Sequence, residues 1–369
     1  MRTSIRAAAI GAAVLVAIAL GGCAGEPEVI DSCEPGDGIE PICGFHNPED
    51  LAVLPGGTWI VASQFPGASG GGGGSLVAFR PADGRKQVLF PDPDSDELPE
   101  ATPGWGAADC PGPPDPESFG PHGLDLDRRS HRLAVVNHGD REAVEFFEVG
   151  HSRRGPAVVW RGCVPIPADA WANDVSLLSG GGFVLSRMLG ASGADRLFSV
   201  LNMLWGGDTG YLLVWSADEG FRKLEGSEGA GPNGVAVSPD GLDIYFAEWS
   251  GSRLVRLRRD ASGKVVDRED VDLPHHPDNI TWTRNGELLV TGQIGPIGEL
   301  LACGETESGT CALPFSVVRV AAGTFDMKTI VEHDPATVHG AGTVALEFGD
   351  GILIGTFDGD RVARVRLQP

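Results

Sequence analysis

Short runs of alternating apolar and polar residues recur along the chain, each broken by a Gly-containing turn, and this period of two is that of a strand with one face on a core. Six copies share a fuller pattern: a polar or small pair, an apolar strand, a turn and a second strand. They read Glu49-Asp50-Leu51-Ala52-Val53-Leu54 before Pro55-Gly56-Gly57, His122-Gly123-Leu124-Asp125-Leu126, and Asn173-Asp174-Val175-Ser176-Leu177 before Gly180-Gly181-Gly182. The other three are Asn233-Gly234-Val235-Ala236-Val237 before Pro239-Asp240-Gly241, Asp278-Asn279-Ile280-Thr281-Trp282 before Asn285-Gly286, and Gly342-Thr343-Val344-Ala345-Leu346 before Asp350-Gly351. Turn chemistry makes each a hairpin. Successive copies start 45 to 73 residues apart, room for four strands with variable loops, which predicts an all-β six-bladed β-propeller as one domain over 45–369.

One stretch leaves this rhythm. Ala194 to Leu204 places Leu197, Val200, Leu201 and Leu204 at helical spacing, with Met203 and Trp205 alongside, and predicts a short lid-like helix near 194–204 that caps one face or packs on a blade edge. The tract Gly70–Gly74 reads as a loop inside the first blade, and Asp92 to Pro116 as a long surface excursion. Gly67-Ala68-Ser69-Gly70-Gly71 has the spelling of a nucleophile elbow but lacks the following helix that such a turn requires. Trp205, Trp215, Trp249 and Trp282 read as packing between blades.

Before the first repeat, Arg2 and Arg6 precede an apolar run from Ala7 to Leu20 that suits an export signal and is too short to span a bilayer. Leu20-Gly21-Gly22-Cys23 resembles a bacterial lipobox, so residues 1–22 are expected to be a lipoprotein signal peptide, Cys23 the lipidated first residue, and 23–44 a tether. The location expected is extracytoplasmic, on a bacterial cell membrane through that anchor. Six further cysteines, an even number in an exported chain, point to disulfides. Cys303 and Cys311 bracket one short loop and Cys33 and Cys43 another, leaving Cys110 and Cys163, although sequence does not choose among the fifteen pairings.

Charge narrows the partners. With 28 Lys+Arg against 51 Asp+Glu the net charge is −23, which argues against nucleic acid or an anionic lipid surface as an electrostatic partner. The 54 Gly and 27 Pro have no Gly-X-Y period and fit a turn-rich fold. Oligomeric state is not legible.

The chemistry sits at the polar pairs. In a propeller the innermost strand of each blade lines the axis, so Glu49, Asp50, His122, Asn173, Asp174, Asn233, Asp278 and Asn279 converge from far apart in sequence. Carboxylates and amide oxygens are hard ligands of the kind Ca²⁺ takes in numbers of six to eight. Crowded there without a cation, the carboxylates would repel one another and lose solvation. Asx-turns would account for any single one of these residues, but not for five of six blades.

These ordered motifs, with Pro48-Glu49-Asp50-Leu51, Pro121-His122-Gly123-Leu124, Val136-Asn137-His138, Ala172-Asn173-Asp174-Val175 and Leu353-Ile354-Gly355-Thr356, resemble the calcium-dependent paraoxonases within the wider group of gluconolactonase and senescence-marker-like propellers. The resemblance covers Glu49 to Leu367. It implies two Ca²⁺ ions: a catalytic one held by Glu49, Asn173, Asn233, Asp278 and Asn279, and a structural one held by Asp50, Asp174 and the backbone carbonyl of Leu124. It also implies hydrolysis of lactones or aryl esters, with His122 activating water, His138 tuning it, and Asp278 as an alternative base or nucleophile. A gluconolactonase-type sugar lactonase and a non-catalytic, Ca²⁺-stabilised binding propeller are the alternatives. Two departures from the family stand out. No cysteine ends the chain, so ring closure must rest on strand pairing, and Gln293 stands where the family carries a histidine.

Overall fold

The computed structural model describes residues 28–67, 73–92, 100–304, 306 and 308–367. The signal at 1–22 and Cys23 lie outside these residues, as does most of Gly67–Gly71. Six four-stranded antiparallel sheets follow one another as blades. Their inner strands are Pro48–Val53, Pro121–Asp127, Ala170–Leu177, Pro232–Val237, His276–Trp282 and Gly342–Phe348, each opening on one of the six sequence repeats. The second strand of a blade is covered by neighbours on both faces and loses polar alternation, as in Phe183–Gly190, every residue of which is buried. Aromatic side chains fill the wedges between blades: Phe90, Phe119, Phe147 and Trp160 between the first two, and Phe146, Phe183 and Trp215 between the second and third. Each such ring contributes roughly 1.5–3 kcal/mol by leaving water.

Closure is made by strand pairing. Ile39–Cys43 lies antiparallel on Arg361–Arg366 as the outer strand of the sixth blade, so part of the segment expected as a tether belongs to the ring. Upstream, Val29–Ile30 pairs with Thr310–Cys311. The fully buried Arg361 clamps this strap, donating to the carbonyls of Ile30 at 2.8 Å, Val338 at 3.0 Å and Ser32. The disulfides are Cys33–Cys43, Cys110–Cys163 and Cys303–Cys311, the second tying the excursion before blade 2 to that blade's outer strand, Gly155–Pro165.

The expected helix is present as α1, Gly193–Met203, and a single turn, α2, spans Ile297–Leu300. Both connect a second strand to a third at the end where the inner strands begin. The buried residues of α1 are Ser199 and Met203, whereas Leu197 faces solvent and Phe198 is 65% exposed. Polar anchors override the apolar count here: Ser199 Oγ accepts the Gly190 N–H at 3.1 Å, and Arg187 pairs with Asp195. Trp205, expected between blades, is 79% exposed just past α1.

Candidate metal and hydrolytic centre

In all six inner strands the ladder register shifts at the polar residues. The breaks fall between Pro48 and Asp50, Pro121 and Leu124, Ala172 and Val175, Pro232 and Val235, Pro277 and Ile280, and Gly342 and Ala345. A bulge releases a residue from strict alternation and re-aims its side chain, and four of these breaks follow a proline, which has no N–H for the ladder. Two glycines make room for the convergence: a Cβ on Gly123 would collide with Asp174 of the next blade, and one on Gly234 with the backbone of Asp278 and Asn279.

The result is a ring of buried polar groups on the axis. Asn279 Nδ2 donates to Glu49 Oε1 at 2.7 Å across 230 residues of sequence, and His122 Nε2 lies 3.8 Å from that same oxygen. Thr343, from the sixth blade, braces the Glu49 carbonyl at 2.6 Å. Burial, then the charges of Asp278 and Asp50, push the Glu49 carboxyl well above its usual range. Burial likewise lifts Asp278 to about 7, against the lowering effect of amide donation from Gln293 and Asn233.

Four oxygens here, Glu49 Oε2, Asn173 Oδ1, Asn233 Oδ1 and Asn279 Oδ1, are buried with no hydrogen-bond partner, and no other carboxylate or amide oxygen among the described residues is in that position. Leaving such a group unpaired costs about 1–3 kcal/mol, more if charged. Four hard oxygens orphaned together, beside a carboxylate, fit a Ca²⁺ ion. The deeper pair differs. Asp50 accepts the N–H groups of Leu51 at 2.7 Å and Leu124 at 2.8 Å, and Asp174 those of Val175 and Val235, both at 2.7 Å. These carboxylates stitch blade 1 to blade 2 and blade 3 to blade 4 and have no orphaned oxygen. Burial holds Asp50 at about 7 and Asp174 well above its usual range. Below them an axial cavity of about 350 Å³ is lined by Asp50, Leu124, Asp125 and Asp174.

Beside the ring lies a hydrogen-bonded chain of two histidines and a carboxylate. His122 Nδ1 is 3.0 Å from His138 Nε2, and His138 Nδ1 is 2.8 Å from Glu142 Oε1. The carboxylate requires a proton on His138 Nδ1, which leaves His138 Nε2 to accept from His122 Nδ1–H. His122 Nε2 therefore presents a free lone pair to the axial ring. Burial, then His138, pushes His122 well below the usual histidine range, so it is neutral at neutral pH. Phe65 stacks on His122 at 4.3 Å and Trp171 on His138 at 4.7 Å, fixing both rings and offering π faces to a transient cation.

Glu142, Phe65, Trp171, Thr343 and Trp249 are the site residues that sequence reasoning missed, the last hydrogen-bonding Gln293 at 2.9 Å. The one available signal was Glu142, an acid four residues after His138. His275 and His276 flank the ring with separate partners, Ser316 Oγ at 2.6 Å and the Trp249 carbonyl at 2.8 Å, so they form no ligand pair.

Compared with known proteins, residues 45–359 match the arylesterase family profile. A comparison with curated proteins finds no match. Among solved structures, a gluconolactonase from Xanthomonas campestris is similar at 16% identity and TM-score 0.55, covering 93% of this chain and 96% of that one. A luciferin-regenerating enzyme is similar at 13% identity and TM-score 0.54, covering 92% and 95%. The calcium-binding protein regucalcin from Agrobacterium tumefaciens follows at 12% identity and TM-score 0.50, covering 88% and 92%. At these identities the likeness is one of fold.

Proposed function

The chain belongs to the arylesterase family, and from that premise we propose that it is a Ca²⁺-dependent hydrolase of aryl esters or lactones, with its centre at the axial ring. The observation that carries this reading is the set of four orphaned oxygens from Glu49, Asn173, Asn233 and Asn279, beside Asp278 and within reach of a histidine whose free nitrogen faces them. Regucalcin, of the same fold, is a calcium-binding protein. In this reading these five residues hold one Ca²⁺. A second ion would fall between Asp50, Asp174 and the Leu124 carbonyl.

The bound ion supplies Lewis-acid polarisation of the ester carbonyl. The chain's own residues move the proton. His122 Nε2 takes a proton from water as the oxygen attacks the carbonyl carbon, and the positive charge spreads to His138 and toward the Glu142 carboxylate. When the acyl C–O bond breaks, His122 returns the proton to the leaving alkoxide or phenoxide, giving acid and alcohol. Phe65 and Trp171 exclude bulk water from the relay. Asp278 serves better as a ligand than as a base, because one of its oxygens already accepts a hydrogen bond.

The test is hydrolysis of phenyl acetate, γ- and δ-lactones and an aldonolactone by the purified protein with and without chelator. His122→Gln is expected to lower kcat by ~10²–10⁴, and Glu142→Gln by less. Turnover untouched by exhaustive chelation defeats the reading. Tight Ca²⁺ binding with no turnover on any substrate favours a binding propeller instead, and turnover confined to the aldonolactone favours a sugar lactonase.

A further inference from the structure

Asp278 is oriented by something other than the ring. Gln293, fully buried at the end of the second strand of blade 5, donates from Nε2 to Asp278 Oδ2 at 2.7 Å and to the Gly342 carbonyl at 2.8 Å. Its Oε1 accepts the indole N–H of Trp249 at 2.9 Å. An indole N–H is donor only, so it fixes which way the carboxamide faces: oxygen toward Trp249, both amide hydrogens toward Asp278 and Gly342. Two of these partners are held in turn. Trp249 packs with Met188, Leu189, Met203 of α1 and Leu300 of α2, and Gly342 opens the sixth inner strand.

We propose that Gln293, locked by Trp249, is the positioning residue of this centre, orienting the Asp278 carboxylate through an uncharged donor to Oδ2. This rests on the hydrolase reading above. It also gives a physical meaning to the departure at this position. An imidazole has two nitrogens and cannot make all three of these hydrogen bonds. A neutral amide carries no charge to repel a cation and holds the same protonation state at every working pH.

The experiment compares Ca²⁺ affinity, measured by calorimetric titration and chelator competition, with kcat and KM for phenyl acetate in wild type, Q293M, Q293H and W249F, all as the full chain. Q293M keeps the volume and removes every donor. It should weaken Ca²⁺ binding ~10–100-fold and lower kcat at saturating Ca²⁺ in the same range, the effect typical of residues that orient metal ligands, while KM changes less than threefold. Q293H restores one donor to Asp278 and should recover part of both losses. W249F, which frees the amide to turn, should fall between wild type and Q293M. Q293M with Ca²⁺ affinity and kcat within twofold of wild type overturns the inference, even if its melting temperature drops, because that is the pattern of packing alone. Wild type that binds Ca²⁺ but cleaves no ester defeats the proposed activity only, and the affinity comparison still decides this inference. Wild type with no Ca²⁺ affinity overturns it.

Discussion

In the proposed hydrolase, protons and a cation would compete for the same atoms at this centre. Burial lifts Asp278 to about 7 and Asp50 to the same value, so in the metal-free protein these carboxyls hold protons below that pH. The proton must leave before the carboxylate can coordinate. His122 is shifted the opposite way, well below the usual histidine range, by burial and by His138, so in the proposed mechanism loss of the cation, not protonation of the base, should set the acid limb. Activity is therefore expected to fall as pH drops through about 7 at limiting Ca²⁺, and tenfold more Ca²⁺ should move the midpoint to lower pH. An initial-rate profile at two Ca²⁺ concentrations measures this, and a midpoint indifferent to Ca²⁺ would assign the limb to the relay instead. Among single residues, His122 and Asp278 were legible because each opens a repeat. Glu142 was hinted at only by its place four residues after His138, because its contact depends on how the loop there folds back. Gln293 was visible only as a departure, since its partner Trp249 lies 44 positions away.

The bulged opening of the inner strand is the element that makes a ring from six ordinary hairpins. Alternation and turn residues foretold where these strands start, but not the bulges, which arise where Pro, Gly and a polar pair meet at a crowded axis. Helix α1 shows the same limit from another side: its place was legible, and its buried face was not, because Ser199 and Arg187 anchor it through hydrogen bonds that hydrophobic spacing ignores. The stitching carboxylates give this scale its own test. Asp174 satisfies two backbone N–H groups, one of them on the next blade. Asp174→Ala should cost about 2–5 kcal/mol even with chelator present, because two buried donors lose their acceptor. Urea unfolding in chelator measures it. A loss that appears only in Ca²⁺ would make Asp174 a ligand first and a stitch second.

At the scale of the whole molecule, the N-terminal strap, the two helices and the polar openings of the inner strands share one face. Glu28, the first described residue, accepts the Ala312 N–H at 2.8 Å, and Arg361 fixes the strap that follows. Repeats foretold the six blades and pairing foretold closure, but the strap's course was illegible, since two short strands among Pro, Gly and acids carry little periodic signal. If Cys23 is acylated, four residues lie between it and Glu28, a reach over the five steps of at most roughly 18 Å. That leash would hold near the bilayer the face on which Leu197, Phe198, Trp205 and Leu301 lie exposed. No helix among the described residues is long and apolar enough to cross a membrane. Cys23→Ser should therefore release the protein from the membrane fraction while leaving turnover of a water-soluble ester per molecule unchanged, as fractionation with activity assays would show. Wild type recovered in the soluble fraction would remove the anchor, and with it any reason for this face to lie on lipid.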